Sequence, residues 1–171
     1  MDLLQKRQEK DKRNQNLVQE VLRGSQTNRY QFGSAKEMIL IRNLIIKKIL
    51  TGKVKTESDK ENTLKVLESL NEYFYVEDLE QLDPGDYLRY FSFKTSNLEL
   101  SFELKMGGYF VKQENNFIVL RSTKHISQDE KPSYWKISSN TPVFCRLNDQ
   151  DKMILVLMEK TSYENENNSE T

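Results

Sequence analysis

Catalytic or metal chemistry in this chain would have to start from one histidine and one cysteine, because the sequence holds a single copy of each. His125 stands in the polar run "STKHISQDEKPS", where an exposed imidazole is expected rather than a general base. Cys145, in "PVFCRL", alternates with Val143 and Leu147, so a buried structural thiol is expected in preference to a nucleophile. The two together fall short of a zinc site, which generally takes four ligands. Carboxylates are plentiful, yet "NDQDK" at 148–152 lacks the glycine a calcium loop requires, since Met153 stands at that position. "LTGKVK" offers a Gly-Lys pair, but Lys47 and Val54 occupy the places of the glycine and the Ser/Thr of a phosphate-cradling loop. The residues point to no enzyme, no metal site, no cofactor and no small-molecule substrate.

Binding chemistry has better material. Tyr87, Tyr90, Tyr109, Tyr134 and Trp135 combine large apolar bodies with polar tips, which suits interfaces and base stacking. In "LDPGDYLRYFSF" a strand would put Tyr87, Arg89, Phe91 and Phe93 on one face and Leu88 and Tyr90 on the other. Most of these rings are expected to line a core, with Tyr87, Tyr90 and Trp135 as candidate partner-binding residues. Charge is the other resource. Residues 1–55 carry 13 Lys/Arg against 5 Asp/Glu, a net of +8, while residues 57–82 carry 2 against 8, a net of −6. Either the two blocks neutralise each other in solvent, or the basic half meets an anionic partner. The nucleic-acid candidates are Lys6, Arg7, Lys10, Lys12, Arg13, Arg42, Lys47 and Lys48. Without a recognition-helix or zinc-finger signature, such contact would be non-specific.

Hydrophobic periodicity supplies the elements that must hold these groups. Residues 1–33 read as a charged helical arm and linker whose only apolar stripe is Leu17, Val18, Val21 and Leu22. That stripe is too narrow to be satisfied alone and calls for a protein partner or a second copy. Residues 34–75 read as a helical hairpin. Ser34 with Glu37 and Ser58 with Glu61 fit capping boxes, Met38, Ile41, Leu44, Ile45 and Ile49 share a face, and the second helix runs to Phe74. After Val76 the period changes to 2, with strands expected at 86–93, 98–105, 108–112, 117–122, 133–138, 142–147 and 153–158. Asp83-Pro84-Gly85-Asp86, Gly107-Gly108 and Asn115-Asn116 supply the turns. The expected fold is α+β: N-terminal helices followed, over 76–160, by a small antiparallel β-barrel of SH3-like form. Residues 161–171 read as a disordered tail.

Four segments of this β-rich half, "LDPGDYLRYF", "GGYFVKQENNFIVLRS", "YWKIS" and "PVFCRL", resemble uncharacterised β-rich proteins of nucleocytoplasmic large DNA viruses. The resemblance implies a viral source and a virion-associated protein, and a coding bias with one alanine, Ala35, is compatible with it. A soluble, intracellular protein is expected. The N-terminus meets charge at Asp2, Lys6 and Arg7, and the densest apolar stretch is broken by Arg42, Asn43, Lys47 and Lys48, whereas a membrane span needs roughly 20 apolar residues. The functional expectation is a non-enzymatic interaction or structural module, with a non-specific nucleic-acid-binding protein as the alternative.

Overall fold

Ser34 leads directly into the first helix, α1 (Ala35–Leu50), which has Glu37 in its first turn and Lys47 and Lys48 in its last. Each sign sits at the end of the helix dipole that favours it. The computed structural model describes residues 33–50, 57–96, 99–122 and 131–168. The inner face of α1 is Met38, Arg42 and Ile46, spaced by one turn, while Leu40 and Leu44 are 59% and 56% exposed. Leu44 is therefore not on the buried face, contrary to the expectation from periodicity, because an arginine occupies the middle of that face. Helix α2 spans Glu57–Ser69, so Ser58 lies within its first turn rather than ahead of it.

The second helix stops before Phe74. A turn at 70–72 leads into β1 (Tyr73–Tyr75), three aromatic residues that favour a pleated surface. A short 3-10 turn (Leu79–Gln81), capped by the Asp78 side chain on the Glu80 N–H, then delivers the chain to the Asp83–Asp86 turn. Gly85 takes φ +99° there and the Asp86 N–H donates to the Asp83 carbonyl, as Pro-Gly at the centre of a turn dictates.

Five further strands follow: β2 (Tyr87–Ser96), β3 (Glu99–Glu114), β4 (Phe117–Arg121), β5 (Tyr134–Ser138) and β6 (Val143–Arg146). They form one antiparallel sheet in the order β1-β6-β2-β3-β4-β5. Strands β1 and β5 are its two edges, so the sheet is open and the expected barrel is not formed. The reason lies in the burial pattern. A small barrel fills one interior, but here Val143, Phe144 and Cys145 are consecutive and all buried, so β6 is covered on both faces. One of those faces packs on the helices: Phe91 and Phe144 join Ile46 of α1 and Leu70, with Ile45, Ile49, Val66 and Leu67 around them. On the other face, register aligns buried Phe74, Cys145 and Leu88 with Gly108.

Gly107-Gly108 does not make a hairpin. Both residues lie inside the 16-residue β3, at a bulge opposite Leu88–Tyr90. Gly107 has φ +82°, and a Cβ there would stand 1.7 Å from the Leu88 carbonyl oxygen. At Gly108 a Cβ would run into the Trp135 ring and the Arg121 carbonyl. These glycines serve close approach within a sheet, one of the two roles such a pair can play. Asn115-Asn116 does turn the chain, with Asn115 at φ +52° between paired Glu114 and Phe117.

The last expected strand, 153–158, is helical. Helix α3 spans Asp149–Asn168 and also takes in most of the tail expected to be disordered. Its start is a reciprocal capping box: the Asn148 N–H donates to Asp151 Oδ2 at 2.9 Å and the Asp151 N–H donates to Asn148 Oδ1 at 2.8 Å. A short apolar run such as "MILVLM" is compatible with helix or strand, and the cap decides it. The chain divides into two compact units, one of residues 36–147 and one of residues 1–35 with 148–171. The sheet, α1 and α2 belong to the first, α3 to the second.

Candidate functional site

Cross-strand register lines up six side chains on the face of the sheet that also carries Phe91 and Phe144. Tyr73 faces Arg146, and one step beyond the Leu88–Cys145 pair Arg146 falls beside Tyr87. Tyr87 faces Tyr109, Tyr109 faces Arg121, and Arg121 faces Tyr134. The row reads Tyr73-Arg146-Tyr87-Tyr109-Arg121-Tyr134 and crosses all six strands. At about 4.8 Å per strand it is roughly 24 Å long. Its first member belongs partly to the core, since Tyr73 packs against the Ile46–Phe91 cluster. From there outward the row opens: Tyr87 and Tyr109 are half-buried, Arg146 and Arg121 are exposed, and Tyr134 is 57% exposed.

The members touch in ways that fix the rings. Tyr87 and Tyr109 meet edge-to-face with centroids 5.5 Å apart, and the Tyr87 hydroxyl donates to the Met106 carbonyl at the bulge. The Arg121 guanidinium stands 5.7 Å from the Tyr109 ring centroid, a cation–π placement. Burial raises the Tyr73 and Tyr87 phenols above their ordinary value, with Arg89 and Arg146 pulling the other way. The same register puts Lys112 and Lys136 on this face beside Glu114, whose carboxyl the Lys136 contact at 2.8 Å and Lys112 hold below its ordinary range. Among the described side chains of the strands, this face therefore carries Arg89, Lys112, Arg121, Lys136 and Arg146 against one carboxylate.

Beside the row, a cleft of about 430 Å³ lies between α2 and the β2–β3 ribbon. Val66, Phe91, Phe102 and Leu104 line it, with Lys65 and Arg89 among its polar groups. Arg89 is already engaged: its Nε donates to the Lys105 carbonyl and its guanidinium to the Ser69 carbonyl at the end of α2. Among the described residues, no group of three or more His, Cys, Asp or Glu side chains is placed to hold a metal ion. No helix of the described residues is long and apolar enough to cross a membrane.

The sequence-predicted binding residues separate. Tyr87 is in the row, but Tyr90 and Trp135 sit on the opposite face, half-buried, with the Trp135 indole N–H donating to the Tyr90 hydroxyl at 3.2 Å. The indole N–H is thereby satisfied by the phenol oxygen. Arg42 is not a surface cation: it is 5% exposed and donates from one guanidinium nitrogen to the carbonyls of Leu70, Asn71 and Tyr73. Lys47 and Lys48 are exposed at the end of α1. Leu17, Val18, Val21 and Leu22, like Lys6, Arg7, Lys10, Lys12 and Arg13, lie outside the described residues, as does His125. Cys145 is fully buried, as the alternation around it predicts.

Of the row, Tyr87, Tyr109 and Tyr134 stand out in the sequence as interface aromatics, whereas Tyr73, Arg121 and Arg146 do not. Each arginine closes a strand ("FIVLR", "VFCR"), and that shared position was the available signal. No family model, curated protein or solved structure matches the chain.

Proposed function

We propose that this protein is a non-enzymatic interaction module that binds an anionic partner through the tyrosine–arginine row. The observation that supports this most is the register itself, which gathers residues from six strands, far apart in sequence, into one line of rings and cations. Arginine and tyrosine are enriched where protein surfaces meet ligands, and the excess of positive charge on the same face suits a negative partner. The virion-associated role implied by the viral resemblance belongs to the same proposal, with the row as the attachment face. A partner helix or second copy on the Leu17–Leu22 stripe would be a separate contact.

The test is retention of the full chain on immobilised heparin, used as a generic polyanion. The double variant Arg121→Gln/Arg146→Gln is expected to elute at clearly lower salt than the wild type, because fewer anionic groups are neutralised. Equal elution would show that the row does not bind anions. Trp135 fluorescence, from the only tryptophan, checks that both proteins are folded.

A further inference from the structure

We infer that the row is a single-stranded nucleic-acid site, in which bases stack on Tyr134 and Tyr109 while Arg121 and Arg146 take phosphates. This rests on the proposal that the row is the anion-binding face, and it names the class of anion. An acidic protein surface would be served by cations alone. Here the cations alternate with rings, and the most exposed of the rings is Tyr134 at the edge strand, where a ring can be reached from solvent. An open sheet face with aromatic side chains on adjacent strands is a platform on which two or three unpaired bases can lie, and stacking is tolerant of sequence because every base has a π-face. Duplex bases are already stacked on one another and present only phosphate to such a surface.

The geometry assigns distinct roles along the line. Arg121 lies between Tyr109 and Tyr134 in register, so a phosphate joining two stacked nucleotides falls next to its guanidinium. Its present position over the Tyr109 ring, at 5.7 Å, is a weak exposed contact that a phosphate can displace. Arg146, between Tyr73 and Tyr87, is the next exposed cation along the row. Tyr87 is less available: its hydroxyl is bonded at Met106 and its ring supports Tyr109 edge-on. It is a positioning residue for the Tyr109 platform.

The experiment uses the full chain and fluorescein-labelled 12-nucleotide oligo-dT in an anisotropy titration at about 50 mM and about 200 mM salt. Competitors are an unlabelled 12-base-pair duplex and poly-glutamate. Wild type is expected to bind the single strand in preference to the duplex. Tyr134→Ala is expected to weaken binding on the order of tenfold, Tyr134→Phe to restore it, and Arg121→Gln/Arg146→Gln to weaken it on the order of tenfold and flatten the salt dependence. If the arginine variant loses affinity for the oligonucleotide and for heparin while Tyr134→Ala binds like wild type, or duplex or poly-glutamate competes equally, the row binds polyanions without reading bases. The nucleic-acid inference is then overturned and the proposed function stands. If the oligonucleotide binds equally to wild type and to every row variant, binding runs through other residues and the inference is overturned. Failure of heparin retention to respond as well would overturn both.

Discussion

A guanidinium on the inner face of a helix is costly unless its N–H groups meet oxygen atoms. Arg42 meets that need with three carbonyls just beyond α2, at 2.8, 2.7 and 3.4 Å. Burial lowers its pKa from the usual arginine value, but its role is that of a fixed multiple donor. The carbonyls it serves lie just past a helix C-terminus, at the negative end of its dipole, and that of Leu70 also accepts the Tyr73 N–H. Replacing Arg42 with leucine should cost about 3 kcal/mol, since its charge-assisted hydrogen bonds to three carbonyls are lost. Urea denaturation measures this, and lysine, with a charge but no fork, should recover only part of it. Sequence alone makes Arg42 a surface cation, because a one-dimensional pattern counts charge without showing that the turn at 70–72 needs donors.

Local chemistry and local periodicity made some elements legible and others misleading. Ala35–Leu50 is a helix, as the period indicates, and the Pro-Gly and Asn-Asn turns form where their backbone preferences demand. Gly107-Gly108 fails as a turn because the same conformational freedom serves a bulge, and only the partner strand distinguishes the two. Residues 153–158 fail as a strand because the deciding signal lies upstream, in the reciprocal cap of Asn148 and Asp151, where "NDQDK" reads in one dimension as a fragment of a cation loop. Asn148→Ala should therefore destabilise α3 by about 1 kcal/mol, with a loss of helical ellipticity at 222 nm on mild heating. An unchanged melting profile would show that the cap contributes nothing. Of the candidate site, tyrosines could be named from the sequence, but their alignment with Arg121 and Arg146 depends on register across six strands, which no local pattern encodes.

For the molecule as a whole, the phenols give a measurable pH signature. Tyr73, Tyr75 and Tyr87 all have folded-state values raised above 10.0 by burial. A raised value means the unfolded chain loses these protons first. The stability they carry is complete below pH 10.0, and it declines as pH climbs from there through the folded-state values. Urea midpoints should fall as pH rises above about 10, and those of the Tyr73→Phe/Tyr75→Phe/Tyr87→Phe variant should fall less. The sheet order has a consequence for how this chain comes to be folded. Strand β6 lies between β1 and β2, yet it is the last of the six to be synthesised. Until residue 146 has left the ribosome, Tyr73–Tyr75 has no strand to pair with and Phe91 lacks the ring it meets edge-to-face. A nascent or truncated chain that stops short of β6 would expose that empty slot, so closure of the sheet waits on its last strand.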